Sequence, residues 1–283
     1  MVSQSISFSM EDTGKTTLAR FFEEMTTTDI SGCGCLRHAV AVLPFAAIEQ
    51  HGPHLPLGTD AIIADNMVQR AAASLPKDLP VTFLSPLRIG VSTEHARFAG
   101  TLNLGWKAGT EMLVQIIGDL VRAGFARVVI VSSHGGNSAA IDTAALEARN
   151  THDCLVVASS WQRFGLPDNL LPQGEVAFGI HGGAVETALM LAFRPDLVRR
   201  DHRQVFPSFQ QELEATHQRL RAHGRLGFGW MAQDLNAQGV VGDTRLANAA
   251  MGEAIAAHQV QGFCELLRDV LAFDLERLRQ TRL

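Results

Sequence analysis

Long apolar runs are missing from this chain: its 283 residues nowhere offer the roughly 20 consecutive apolar positions that a membrane-spanning helix needs. Residues 1–10 are polar and serine-rich, without the apolar stretch of a secretory signal. Clustered basic charge is missing too. The 24 Lys and Arg are outnumbered by 29 Asp and Glu, and a formal net charge of −5 offers neither nucleic acid nor an anionic membrane a surface to bind. Cysteine is scarce, at Cys33, Cys35, Cys154 and Cys264. A single Gly separates Cys33 from Cys35, an awkward spacing for a mutual disulfide, and no second pair lies nearby to complete a zinc site. The expected setting is a reducing cytoplasm. Gly14-Lys15-Thr16 lacks the glycine that a phosphate loop requires five residues earlier, where Ser9 stands, so no nucleotide site is read there.

Repeats, low-complexity tracts and linkers are absent as well. Residues 37–283 therefore read as one domain, with residues 1–36 a leader packed on it. The length suits a sizeable core, and 46% apolar with 19% charged residues is the balance of a soluble globular enzyme.

What the chain does have is alternation. Apolar runs at 39–48, 81–84, 127–131 and 154–158 read as strands, and helical patterns cover 60–73, 107–123, 138–149 and 185–194. The helix over 107–123 aligns Met112, Ile116, Leu120 and Val121 and ends at Gly124, as a helix-terminating glycine should. A short helix is expected near 17–24, an irregular stretch over 94–105, and longer helical patterns over 209–222 and 246–278. Strands alternating with helices predict an α/β fold with a mainly parallel central sheet covered on both faces.

Metal-binding side chains stand where those strands end. Glu49 and His51 follow the first strand, two residues apart and so on one side of an extended segment. The stiff loop Gly52-Pro53-His54-Leu55-Pro56-Leu57-Gly58 can return Asp60 to them, although Asp60 also sits where a helix cap belongs. His134 follows another strand in His134-Gly135-Gly136-Asn137, with Asn137 or Ser138 available to cap the next helix. Glu186 opens a helix after His181-Gly182-Gly183, where a carboxylate is favoured even without metal. Two imidazoles and three carboxylates suit one or two divalent first-row ions, zinc, manganese or iron. His181 is either a further ligand or an unligated proton shuttle. His54, His95 and Trp161 are weaker candidates for a substrate pocket. In open α/β sheets such scattered residues meet outside the carboxyl ends of the strands.

At these residues the chain resembles the creatininase (creatinine amidohydrolase) family. The resemblance runs from about residue 39 to 198 and rests on Glu49-Gln50-His51-Gly52-Pro53-His54-Leu55-Pro56 with Asp60, on His134-Gly-Gly-Asn and on His181-Gly-Gly-x-x-Glu186. It implies a three-layer α/β/α sandwich, commonly a homohexamer, with a binuclear metal centre that hydrolyses a C–N bond of a small molecule. Glu49 and His134 would hold one ion, His51 the other, and Asp60 would bridge them. Where creatininase completes the second ion with a glutamate two residues after the His134 equivalent, this chain has Gly136, and Glu186 is expected to serve. His181 and Glu186 are the expected catalytic pair; Gly135, His95, Trp161 and Phe178 are expected to line the substrate. A pocket tryptophan and an acidic residue of creatininase give way near Ala177 and Phe178, so the expected substrate is a small amide or cyclic amide other than creatinine. The alternatives are action on a non-amide cyclic carbonyl compound, or a silent metal-binding assembly protein.

Overall fold

The computed structural model of the protein describes residues 18–278. In chain order it contains α1 (Thr27–Gly32), β1 (Val40–Phe45), α2 (Thr59–Ser74), β2 (Val81–Phe83), α3 (Gly105–Ala123), β3 (Arg127–Ser132), α4 (Ser138–Thr151) and β4 (Leu155–Ser160). There follow α5 (Gln173–Phe178), α6 (Ala184–Phe193), β5 (Val205–Phe206), α7 (Phe209–Thr216), α8 (Ala232–Leu235), β6 (Gly242–Asp243) and α9 (Ala249–Ala272).

Strand β1 is buried along its whole length, and alternate side chains enter two different cores. Val40 and Val42 join Val129 and Val131 beneath α2, α6 and α9, through Met67, Met190 and Phe263. Ala41, Leu43 and Phe45 join Val128 and Ile130 beneath α3 and α4, through Leu113, Ile117 and Ile141. The sheet runs β2-β1-β3-β4 with every pairing parallel, and helices cover both faces. This is the expected α/β/α sandwich. A second, two-stranded antiparallel sheet, β5 with β6, was not expected.

Helix ends follow local chemistry. Gly124 ends α3 with φ 116°, its N–H bonded to the Leu120 and Val121 carbonyls. Asn248 caps α9 by accepting from the Met251 N–H, and α9 stops at Ala272, short of the expected 278. The expected helix over 209–222 stops at Thr216 because the chain folds back: the Ala222 N–H donates to Gln210 Oε1, and Ala222 packs beside Leu213. Tertiary contacts override the pattern there.

Two expectations for the leader need correction. Near 17–24 there is only a 3-10 turn, Phe22–Glu24, and Thr17 lies outside the described residues. Phe21 instead bridges to Phe83 at the edge of β2, and the Arg20 guanidinium donates to the Pro76 and Val81 carbonyls. Cys33 and Cys35 are joined by a disulfide. The chain turns between α1 and the 3-10 turn Leu36–His38, which brings the two Cα atoms to 5.2 Å, within the ordinary disulfide span. No free thiol pair remains there to bind metal, and the low cysteine count does not by itself set the redox compartment.

Asn137 does not cap α4. It is fully buried and staples three segments together: Oδ1 accepts from the Val91 N–H at 2.9 Å, and Nδ2 donates to the Ala46 carbonyl at 3.1 Å and to Ser132 Oγ at 3.2 Å. Deleting these partners strands a buried backbone donor and acceptor. Asn137→Ala is expected to cost about 1–3 kcal/mol in urea unfolding of the metal-free protein. An unchanged midpoint and slope would show that the staple carries no stability.

Candidate metal centre

β1 and β3 are neighbours, and the segments leaving their carboxyl ends carry Glu49 and His134. The loop after β1 is closed by the Glu49 N–H donating to the Leu57 carbonyl at 3.0 Å, and it turns at Gly52, whose φ is 65°. That closure returns the chain to α2, placing Asp60 in its first turn. Glu186 stands in the first turn of α6, where one oxygen accepts from the Gly182 N–H at 2.6 Å.

These side chains converge. His51 Nδ1 donates to the Glu49 carbonyl at 3.2 Å, which leaves Nε2 facing Asp60 Oδ1 at 3.6 Å, Glu186 Oε2 at 3.7 Å and Glu49 Oε1 at 4.0 Å. His134 Nε2 donates to the Val91 carbonyl at 3.0 Å, and its Nδ1 faces Asp60 Oδ2 at 3.7 Å. Ligand atoms of Glu49, Asp60 and His134 all lie within 4.8 Å of one another, and so do those of His51, Asp60 and Glu186. Donors that each stand about 2.0–2.3 Å from a shared ion have separations of this order. Asp60 belongs to both groups, so its two oxygens can serve two adjacent ions.

The hydrogen-bond inventory supports that fit. Glu49 Oε1, His51 Nε2 and both carboxylate oxygens of Asp60 are buried without a hydrogen-bond partner among the described residues. The ring nitrogens nearest the two Asp60 oxygens stand 3.6 Å and 3.7 Å away, beyond hydrogen-bond reach, and the one nearest Glu49 Oε1 is His95 Nε2 at 3.4 Å, at its limit. Buried polar atoms are nearly always paired, and unpaired His and carboxylate donors gathered in one cluster fit a cation. Asp60 is not a cap, since the residue before α2 is Gly58 and no side chain caps that end.

The electrostatics point the same way. Burial by itself would lower the His51 imidazole, but Asp60, Glu186 and Glu49 more than offset it and hold the group at about 9. At His134 burial is likewise outweighed, by Glu49, Asp60 and Glu94, and the group is raised to about 10. Burial raises Asp60, with Glu49 adding to it, and burial lifts Glu186 to about 7. Glu49 goes the other way: burial is outweighed by His134, His95 and His181, which hold it well below the usual carboxylate range.

The remaining expected site residues divide. His181 is in the cluster, with Nδ1 3.6 Å from Glu49 Oε1, and it forms a third possible ligand group with Glu49 and His51. His95 is also there, buried, with Nε2 3.4 Å from the same oxygen. Gly135 is exposed, and a Cβ built on it would meet nothing within 4 Å, so it leaves open space beside His134. Phe178 is half-buried at the end of α5. Trp161 is the exception: it is buried in the apolar core, with its ring centroid 4.8 Å from that of Phe263. His54 is buried too, bonded to Thr187 Oγ1 at 3.0 Å and stacked on Phe206.

Sequence reasoning missed several neighbours. Ser92 Oγ donates to Glu49 Oε2 at 2.5 Å, and Glu94 Oε1 lies 3.5 Å from His134 Nε2. A side chain on Gly136 would run into that Glu94 carboxylate, so a glycine at 136 and a glutamate at 94 fit each other. Ser92 and Glu94 belong to the stretch holding His95, and a polar Ser92-Thr93-Glu94-His95 run after a strand was the available signal.

Metal uptake should release protons. His51 at about 9 and His134 at about 10 are protonated near neutrality, whereas an ion binds only the neutral ring. Affinity for zinc is therefore expected to rise with pH from about 7 toward 9, with proton release seen by titration calorimetry in buffers of different ionisation enthalpy. Uptake at neutral pH without proton release would contradict the assigned imidazole ligands.

Comparison with known proteins agrees with this geometry. A family model described as creatininase, creatinine amidohydrolase, matches residues 23–267. A mycofactocin precursor peptide peptidase of Mycolicibacterium smegmatis is 30% identical over 234 residues, covering 81% of this chain and 84% of the relative. The creatinine amidohydrolase of Pseudomonas putida is 30% identical over 197 residues, covering 64% of this chain and 74% of that one. Among solved structures, a manganese form of creatininase superposes with a TM-score of 0.70 at 28% identity, covering 89% of this chain and 98% of the other. A Zn–Zn type creatininase mutant gives 0.70 at 27% identity over the same shares. The chain belongs to the creatininase family of metal-dependent amidohydrolases.

Proposed function

We propose that the protein hydrolyses a C–N bond of a small amide or cyclic amide other than creatinine, at a two-ion centre held by Glu49, His51, Asp60, His134 and Glu186. The observation that carries this reading is the set of four buried, unpartnered donor atoms shared by Glu49, His51 and Asp60. Related creatininases take manganese or zinc, and the mixed nitrogen and oxygen donors here suit either, or iron. Divalent ions bound in such a set supply an acidified water and a polarised carbonyl.

The protein groups divide the remaining work. Asp60, carrying no other hydrogen bond, is free to bridge. Glu186 is oriented by the Gly182 N–H, so the glycine pair that precedes α6 aims the ligand that the missing glutamate at 136 would otherwise supply. His181 stands beside Glu49, placed to carry a proton between the water and the departing nitrogen.

Substrate selection follows from what surrounds the His181 loop. Neither Ala177, which is exposed, nor Phe178, which is half-buried, offers a tryptophan face there. Ile180, which could have lent the substrate an aliphatic contact, packs instead with Trp230, Leu213 and Val241. The nearby buried carboxylate, Glu175, is occupied by the N–H groups of Ala184 at 2.8 Å and Asp243 at 2.6 Å. A planar, polar ring therefore loses both its stacking face and its acidic partner, the contacts that confer large discrimination.

A steady-state panel of creatinine, lactams, formamides and short peptides with metal-loaded protein tests this reading. Turnover is expected on a panel amide, with creatinine below roughly 10⁴ M⁻¹s⁻¹ in kcat/KM. His181→Ala is expected to keep its metal and lose about 10²–10⁴-fold in kcat on that amide. Efficient creatinine turnover would refute the substrate argument, and loss of metal from His181→Ala would make this residue a ligand.

A further inference from the structure

Gln50 lies between two of the assigned ligands, and the structure gives its side chain a separate task. It is buried, and its amide cannot flip: Oε1 accepts from the Gly52 N–H at 3.0 Å, while Nε2 donates to the Gly239 carbonyl at 2.7 Å. One amide proton remains, and His95 Nδ1 lies 2.8 Å away. An amide nitrogen only donates, so His95 meets it with a lone pair and carries its own proton on Nε2, 3.4 Å from Glu49 Oε1.

Both amide protons are then committed. His181 Nε2, 3.1 Å from the same amide nitrogen, finds its partner in the backbone instead, the Gln50 carbonyl at 2.9 Å. A carbonyl only accepts, so the His181 proton sits on Nε2, and its unprotonated Nδ1 faces Glu49 Oε1 at 3.6 Å. The two rings stack with centroids 4.1 Å apart. One residue thus sets a donor and an acceptor side by side.

We propose that Gln50 is a positioning residue that holds His95 as a proton donor and His181 as a proton acceptor beside Glu49, a role that rests on the hydrolase reading above. In that role His181 Nδ1 takes the proton of the attacking water and returns it to the departing nitrogen, while His95 Nε2–H stays in place to hold an oxygen. Binding energy and proton transfer both depend on the ring presenting the correct nitrogen.

Distant sequence was built around this amide. Gly239 has φ +78°, and a Cβ there would lie 2.5 Å from Gln50 Oε1, so only glycine lets the carbonyl approach. The next residue, Val240, packs so closely on Gly52 and Gly182 that a Cβ on either would collide with it. Val241 N–H then donates to the His181 carbonyl at 3.0 Å. The segment 239–241 therefore ties the Glu49 loop to the His181 loop, with the Gly239 carbonyl holding the Gln50 amide.

Ring ¹⁵N shifts of histidine-labelled protein, read with and without zinc, test the proposal directly. Native protein is expected to show Nε2–H at both His95 and His181. Gln50→Glu offers His95 an acceptor and is expected to move its proton to Nδ1, leaving His181 unchanged. Gln50→Leu is expected to leave His95 a mixture, and Gly239→Ala to perturb the same His95 signals without altering the amide. Nδ1–H at His95 in the native protein, or an unchanged His95 in a Gln50→Glu protein that circular dichroism shows to be folded, would overturn the proposal. Zinc content measured on the same native sample separates the two ideas: a protein that takes no zinc defeats the metal-hydrolase reading, while the zinc-free spectra still decide the role of Gln50.

Discussion

Three carboxylates (Glu49, Asp60 and Glu186) and two imidazoles are buried in one cluster, where His134 Nε2 reaches Glu49 Oε2 at 3.1 Å but Asp60 is left unsatisfied. Both Asp60 oxygens lack a partner, and the nearest ring nitrogens stand 3.6 Å and 3.7 Å away. Leaving charges out of water unpaired costs several kcal/mol per ion, so the cluster needs a counter-charge, which a divalent ion can supply. The rest of the site follows from that need. Ser92 and Val91 hold Glu49 and His134, Gly182 holds Glu186, and the Glu49 carbonyl turns His51 so that Nε2 faces inward.

The parallel sheet makes the gathering possible. Neighbouring strands β1 and β3 end in register, Phe45 opposite Ser132, so the loops that follow them emerge side by side. Helix α2 begins where the loop after β1 finishes, and α6 begins after α5, which puts the carboxylates of Asp60 and Glu186 in first turns, where unpaired N–H groups favour negative charge. Asn137 joins the ends of β1 and β3 to the chain at Val91, so the platform beneath the ligands is one hydrogen-bonded unit.

Much of this was legible in the residues themselves. The four parallel strands were visible as buried apolar runs, because a sheet covered on both faces needs them continuous. Glu49, His51 and His134 could be read as candidates because each follows a strand of an open α/β sheet, and Asp60 and Glu186 because each opens a helix within the same motifs. What stayed hidden depends on segments far apart in the chain. Gln50 takes its meaning from Gly239, and Glu175 from Ala184 and Asp243, pairings that no local pattern encodes. Trp161 matched a pocket tryptophan by motif, yet its ring packs on Phe263 in α9, more than 100 residues later. The Cys33–Cys35 bridge was likewise hidden, since the turn between α1 and the next 3-10 turn decides the approach of the two sulfurs.

Anomalous diffraction from crystals of the zinc-loaded protein, recorded at the zinc edge, decides whether this cluster holds two ions. Two peaks about 3.5–4 Å apart are expected, one between Glu49 and His134 and one between His51 and Glu186, with Asp60 contacting both. A single peak that Asp60 does not touch, or none within this cluster, would contradict it.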